Sequence, residues 1–166
     1  MPDTTYQPLV QRRHGGNKMV VASGGALEFE SGSIPVGVLL HQRFRATAAE
    51  VNAGLVLLPA VAGYKYRIAD ASMIAIGGAA ATATSVDLLG TAATSAVRPL
   101  VIAVAALTQN TLVRAGAANA VILAAGASFT ALDANTSVSV TKQSGGGNLG
   151  TATHIDVLLS YVIEVA

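Results

Sequence analysis

The segment from His154 to Val165 constrains this chain more than any other. Ile155, Val157, Leu159, Tyr161, Ile163 and Val165 alternate there with His154, Asp156, Leu158, Ser160, Val162 and Glu164. Successive side chains of a strand point to opposite faces, so a period of two predicts a long, half-buried β-strand. A helix would scatter the same apolar residues around its circumference. Leu158 and Val162 on the second face predict that part of that face is covered as well.

The same period recurs upstream. Tyr64, Tyr66 and Ile68 oppose Lys65 and Arg67, Val138 and Val140 oppose Ser137, Ser139 and Thr141, and His41, Arg43 and Arg45 share one face. Turn-forming pieces separate these runs: Ala62-Gly63, Gly77-Gly78, Gly90, Gly116, Gly126, Asp133-Ala134-Asn135 and Gly145-Gly146-Gly147-Asn148. Short strands at a spacing of about 8–12 residues argue for an all-β sandwich or barrel. The helix candidate is one turn following Thr47, where Glu50 completes a capping-box pattern and Gly54 ends it. The Ala-rich tracts at 78–83 and 115–125 are broken by Gly, Thr or Asn and keep no 3.6-residue period, so they are not expected to be helical.

Composition bears on how such a sandwich meets its surroundings. The 166-residue chain is 52% hydrophobic, 4% aromatic and 11% charged, against about 25% charged residues in an ordinary soluble domain. A monomer so poor in charge exposes neutral or apolar surface, which favours association. The apolar mass is Ala, Val, Leu and Ile, which suits pleated surfaces and close subunit seams. There is no Cys, hence no disulfide, thiolate nucleophile or zinc–thiolate site. A net charge of +1 gives no bulk attraction to nucleic acid. No apolar run approaches the roughly 18 residues of a membrane helix. Neither nucleic acid nor membrane is therefore expected as a partner.

Residues 1–18 read as an extended polar arm, since Pro2 and Pro8 disfavour helix and Gly15-Gly16 loosens the chain. Arg12, Arg13, His14 and Lys18 form a basic cluster, flanked by the apolar pairs Leu9-Val10 and Met19-Val20. Residues 19–36 hold two similar pieces, VVASGGAL and EFESGSIP, each with a Ser-Gly turn. Two copies are too few to fold alone, so this short stem is expected to pair with other chains or a partner surface.

Signatures of catalysis or metal binding are sparse in the sequence. His14, His41 and His154 are scattered without metal spacing. His154 and Asp156 lie two apart on one strand, an arrangement that any solvent-facing pair produces, and no GxSxG elbow accompanies them. Ser144-Gly145-Gly146-Gly147-Asn148 leads into Leu149 rather than a helix, so it cannot cradle phosphate at a helix N-terminus. Asp133 and Asn135 suggest a calcium site but lack a dense acidic loop. No cofactor, metal or catalytic residue is expected, and the chain is read as a non-enzyme.

Four stretches in succession carry a family resemblance: VVASGGALEFESGS, the run from Ala48 to Thr91, LVIAVAALTQNTLVRAGA and the C-terminal THIDVLLSYVIE. Over about residues 19–166 the chain resembles the head-fibre, decoration or cement proteins of tailed phages. The resemblance implies a structural virion protein on the outer capsid surface, assembled in the host cytoplasm as a homotrimer that binds the major capsid protein. It implies a jelly-roll-like β-sandwich knob at 37–166, preceded by the short β stem at 19–36 and the anchoring arm at 1–18. Leu9, Val10, Arg12, Arg13, His14, Lys18, Met19 and Val20 are the expected capsid-binding residues. The alternative is a receptor-binding tail fibre or tip protein that meets the host surface.

Overall fold

The computed structural model describes residues 10–12, 19–21, 34–117, 132–143 and 147–166. The chain divides into two compact units, Met1–Pro35 and Val36–Ala166. In the first, β1 (Val10–Arg12) pairs antiparallel with β2 (Met19–Val21), with Val10 opposite Val21, Gln11 opposite Val20 and Arg12 opposite Met19. This hairpin joins one strand from the arm to one from the stem. Leu9, Arg13, His14 and Lys18 lie outside the described residues.

The second unit is an all-β sandwich. Among the described residues its strands are β3 (Leu39–Thr47), β4 (Leu55–Leu58), β5 (Tyr64–Ile76), β6 (Ser85–Ala92), β7 (Ser95–Ala103), β8 (Leu112–Arg114), β9 (Val138–Lys142) and β10 (His154–Val165). They form two 4-stranded sheets, ordered β3-β10-β5-β8 and β4-β9-β6-β7. All neighbours are antiparallel. The first strand of the unit pairs with the last (β3 with β10), the second with the seventh (β4 with β9), the third with the sixth (β5 with β8), and the middle two with each other (β6 with β7). The pairs β10–β5 and β9–β6 then complete the sheets.

The alternation read from sequence describes the inner faces. In β10, Ile155, Val157, Leu159, Tyr161 and Ile163 are buried; in β5, Tyr66, Ile68, Met73 and Ala75 are. The other sheet contributes Val86, Leu88, Leu100, Ile102, Val138 and Val140, each fully buried. Tyr66 and Tyr161 meet edge to face with ring centroids 5.9 Å apart. Each buried phenol finds an acceptor: Tyr66 donates to the Pro59 carbonyl at 2.7 Å and Tyr161 to Gln42 Oε1 at 2.9 Å. Burial pushes both phenols above their ordinary pKa. Val165, expected to face inward, is 65% exposed, because the strand outruns the core at its last turn of alternation.

Two irregularities matter. In β5 the register against β10 shifts, Ser160 facing Asp70 and Tyr161 facing Ile68, so Ala69 is an extra residue. A bulge reverses the parity of everything beyond it, which is why even-numbered Tyr66 and Ile68 but odd-numbered Ala71, Met73 and Ala75 point inward. Asp70 Oδ1 accepts from the Ala71 N–H at 2.9 Å and braces the bulge. In the β6–β7 pair, Leu88 faces Leu100 and Gly90 faces Val97, leaving Arg98 and Pro99 opposite Leu89. A proline lacks the ladder donor, and a bulge on an edge strand tolerates it. Gly90 also makes room for packing, since a Cβ there would lie 2.7 Å from Leu132 Cδ2.

The expected helix is α1 (Ala48–Ala53). Thr47 Oγ1 accepts from the Glu50 N–H at 3.2 Å, and Glu50 Oε2 accepts from the Thr47 N–H at 2.7 Å. That N–H holds the Glu50 carboxyl below its ordinary range. Val51 is its fully buried contact, and Gly54 at φ 90° closes it. The tract at 78–83 is non-helical, as expected; residues 118–125 of the other lie outside the described residues.

Candidate functional site

The outward face of the β3-β10-β5-β8 sheet gathers most of the polar chemistry of the second unit. Register places its side chains in rows across the strands. Arg45, Asp156, Ile74 and Leu112 form one row; Arg43, Leu158, Ser72 and Arg114 the next; His41, Ser160 and Asp70 a third. Period-two folding puts His41, Arg43 and Arg45 on one face, as the sequence predicts.

Sequence reading missed what those arginines hold. Asp156 is only 2% exposed, although it points away from the core. Arg45 Nε donates to its Oδ1 at 2.8 Å and Arg45 Nη2 to its Oδ2 at 3.1 Å, while Arg43 Nη2 also donates to Oδ2. The hydrogen bonds from Arg45 are the largest influence holding the Asp156 carboxyl below its ordinary range. Both guanidinium groups remain about half exposed. Two cations share one carboxylate, so the trio carries a residual positive charge. Period-two spacing was the available signal, since Asp156 sits on the same outward parity as its cross-strand partner Arg45.

The neighbouring row adds a second group. His41 Nδ1 lies 2.7 Å from Ser160 Oγ, and Arg114 Nη2 donates to Asp70 Oδ2 at 2.9 Å. Asp70 is committed to Arg114 and Ala71 rather than to His41, so the Ser–His contact has no carboxylate orienting it as a nucleophile–base pair requires. Between these rows lies an open hollow of about 340 Å³, whose eight lining residues include His41, Arg43, Asp70, Ser72, Leu158 and Ser160. Leu158 is 36% exposed, so the cover expected over it is not supplied by the chain's described residues. His154 Nδ1 faces Thr153 Oγ1 at 3.0 Å, while Asp156 is held by the arginines.

The outward face of the other sheet is arranged differently. Asp87, opposite Val101 and Thr141, is fully buried. Ser85 Oγ donates to its Oδ1 at 2.5 Å, and Arg98 Nη1 lies 3.3 Å from its Oδ2 without hydrogen-bond geometry. Desolvation dominates, pushing the Asp87 carboxyl above its ordinary range against the opposing pull of Ser85 and Arg98.

Asp133 and Asn135, considered as calcium ligands, serve as latches. Asp133 accepts from the Ala93 N–H at 3.0 Å and the Thr94 N–H at 2.8 Å, holding a turn whose residues both have positive φ. Asn135 Oδ1 accepts from the Gly63 N–H at 2.6 Å. Among the described residues no three His, Cys, Asp or Glu side chains gather as a metal site, and no helix is long and apolar enough to cross a membrane. Of the expected capsid-binding residues, Val10 and Arg12 sit on β1 and Met19 and Val20 on β2. No protein-family model, curated protein or solved structure matches this chain.

Proposed function

We propose that this chain is a structural, non-catalytic virion protein that decorates and stabilises the outer capsid surface of a tailed phage as a homotrimer. The major capsid protein is its partner, residues 1–36 are the anchor and the sandwich is the outward knob. One observation carries the reading. At the start of β3 and the end of β10, Val36, Val38, Leu39 and Val165 are 42%, 41%, 50% and 65% exposed. They share one end of the sheet, because Val36 bridges Ile163, Leu39 faces Val162 and Val165 faces Tyr64. An exposed apolar strip of this kind, in a chain with only 11% charged residues, suits burial against copies of itself.

The strand pairing supports a jelly roll. Partners first-with-last through to the middle two are what results when one long antiparallel ribbon is rolled into two sheets. The edge strand β3 carries Arg43 and Arg45, charges that discourage edge-to-edge pairing and leave the apolar strip as the self-association surface. Three arms on one trimer would engage a capsid together, raising avidity over that of a single arm. Mass photometry of the full-length protein tests the reading: a species of three times the 16.6 kDa chain mass is expected. That species should co-sediment with undecorated heads, less so after Arg12→Ala and Arg13→Ala. A monomer at micromolar concentration overturns it.

A further inference from the structure

The hollow on the β3-β10-β5-β8 sheet has the shape and chemistry of a small polar binding site. Six of its eight lining residues form a regular grid, the other two being Gln42 and Leu159. The six are two consecutive rows across three strands, Arg43–Leu158–Ser72 and His41–Ser160–Asp70. Adjacent strands lie about 4.8 Å apart and successive outward residues about 6.8 Å apart, so this grid spans roughly the footprint of one six-membered sugar ring. The central strand contributes the short Ser160 and the exposed Leu158, while His41 and Arg43 stand on one side and Asp70 on the other. The Ala69 bulge lies in β5 beside Asp70 and re-aims it, a placement that recurs beside binding sites.

Each lining group retains capacity for a ligand. Arg43 spends one of its N–H donors on Asp156, and a guanidinium has five. His41 engages Ser160 through Nδ1, leaving Nε2. Asp70 accepts one bond on each oxygen, from Ala71 and Arg114, and a carboxylate has about four acceptor sites. Ser72 and Ser160 add hydroxyls, and Leu158 offers an apolar patch to the C–H face of a ring. Charge selects among sugars. Arg43, Arg45 and Arg114 face Asp70 and Asp156, three cations to two anions.

We propose that this hollow binds a single acidic sugar residue, its carboxylate on Arg43, its hydroxyls on Asp70, Ser72 and His41, and its ring over Leu158. The site sits on rigid sheet, so it is preformed and its affinity is set by a few polar contacts. It is independent of the capsid reading, because it requires neither the arm nor the trimer.

The test titrates the full-length protein with sodium glucuronate, glucose and sodium acetate, by isothermal titration calorimetry and saturation-transfer NMR. Saturable binding of glucuronate is expected, at least tenfold tighter than either control. Arg43→Ala should weaken it at least tenfold, and Ser72→Leu, which fills the hollow from an outward position, should abolish it. Arg67→Ala, which removes a surface pair with Glu164 outside the hollow, should leave it unchanged. Absence of glucuronate binding overturns the proposal. So does acetate binding of equal strength, which would mark a bare carboxylate site, or glucose binding of equal strength, which would mark a neutral one. Undiminished binding in Ser72→Leu overturns the location.

Discussion

The two outward faces of the sandwich handle a buried carboxylate in opposite ways. Asp156 and Asp87 each sit on a central strand, point away from the core and are almost wholly screened from water. Asp156 is covered by the guanidinium groups of two half-exposed arginines, so its charge is compensated and its carboxyl is held low. Asp87 has one arginine without hydrogen-bond geometry and a neutral hydroxyl, so desolvation wins and its carboxyl is pushed up. The same contrast holds for apolar neighbours: Leu158 beside Asp156 is 36% exposed, whereas Val101 beside Asp87 is 2% exposed. The contrast is local to the two carboxylates, since Val56, farther out on the face of Asp87, is 52% exposed. Burial of a carboxylate therefore says nothing about its charge state until its partners are counted.

Removing Arg98 should have the largest effect on this contrast. Arg98→Ala strips Asp87 of its cationic partner, and breaking a buried pair from one side costs about 3 kcal/mol, read as a lowered urea midpoint at pH 7. The cost should shrink with falling pH. The folded-state pKa of Asp87 is raised, so the folded protein holds that proton more tightly than the unfolded chain does. Its unfavourable contribution is full above the folded pKa and fades as pH falls toward the unfolded value near about 4. A penalty independent of pH between about 4 and 7 would break the contrast.

Asparagine substitutions should separate the two carboxylates. Asp156→Asn should cost about 1–2 kcal/mol at pH 7, since charge-assisted hydrogen bonds are lost but the arginines stay solvated. Asp87→Asn should leave stability within about 1 kcal/mol of wild type, or raise it, because it removes the charge that burial penalises. The sign for Asp156 is the reverse of that for Asp87: its pKa is depressed, so its stabilisation is full above about pH 4 and lost as pH falls through the folded pKa. Thermal melts from acid to neutral pH should show this acid loss diminished in Asp156→Asn. Equal effects of the two substitutions would show the faces to be alike.

The smallest effect is expected at Leu158. Leu158→Ala removes an exposed side chain and should shift the unfolding free energy by no more than about 0.5 kcal/mol. A cost of 2 kcal/mol or more, at the level of a core truncation, would mean that something covers this face in solution. Comparing urea midpoints at nanomolar and micromolar protein would then identify that cover as another copy of the chain.

The alternation in β10 and β5, the valine face of β9 and the single capped turn at Thr47 were legible because each depends on residues within one segment. Side chains two apart share a strand face, and Thr47 reaches Glu50 through three residues of backbone. The bulge at Ala69 was not legible, since an extra residue shows itself only against a partner strand. Nor was the exposure of Val165, which depends on where the opposing sheet ends. The site divides in the same way. That His41, Arg43 and Arg45 lie together follows from the period of β3.

That two of these arginines close over Asp156, more than a hundred residues later in the chain, follows from the β3–β10 register. The hollow beside them needs that register together with β10–β5. Sequence by itself determined strand, face and local cap, because those rest on short-range sterics and the period of the backbone. Tertiary structure alone decided which side chains meet water, which carboxyl is held low and which is pushed up, and which residues line the hollow, because register, solvent exclusion and Coulomb attraction act between strands that the chain brings together only on folding.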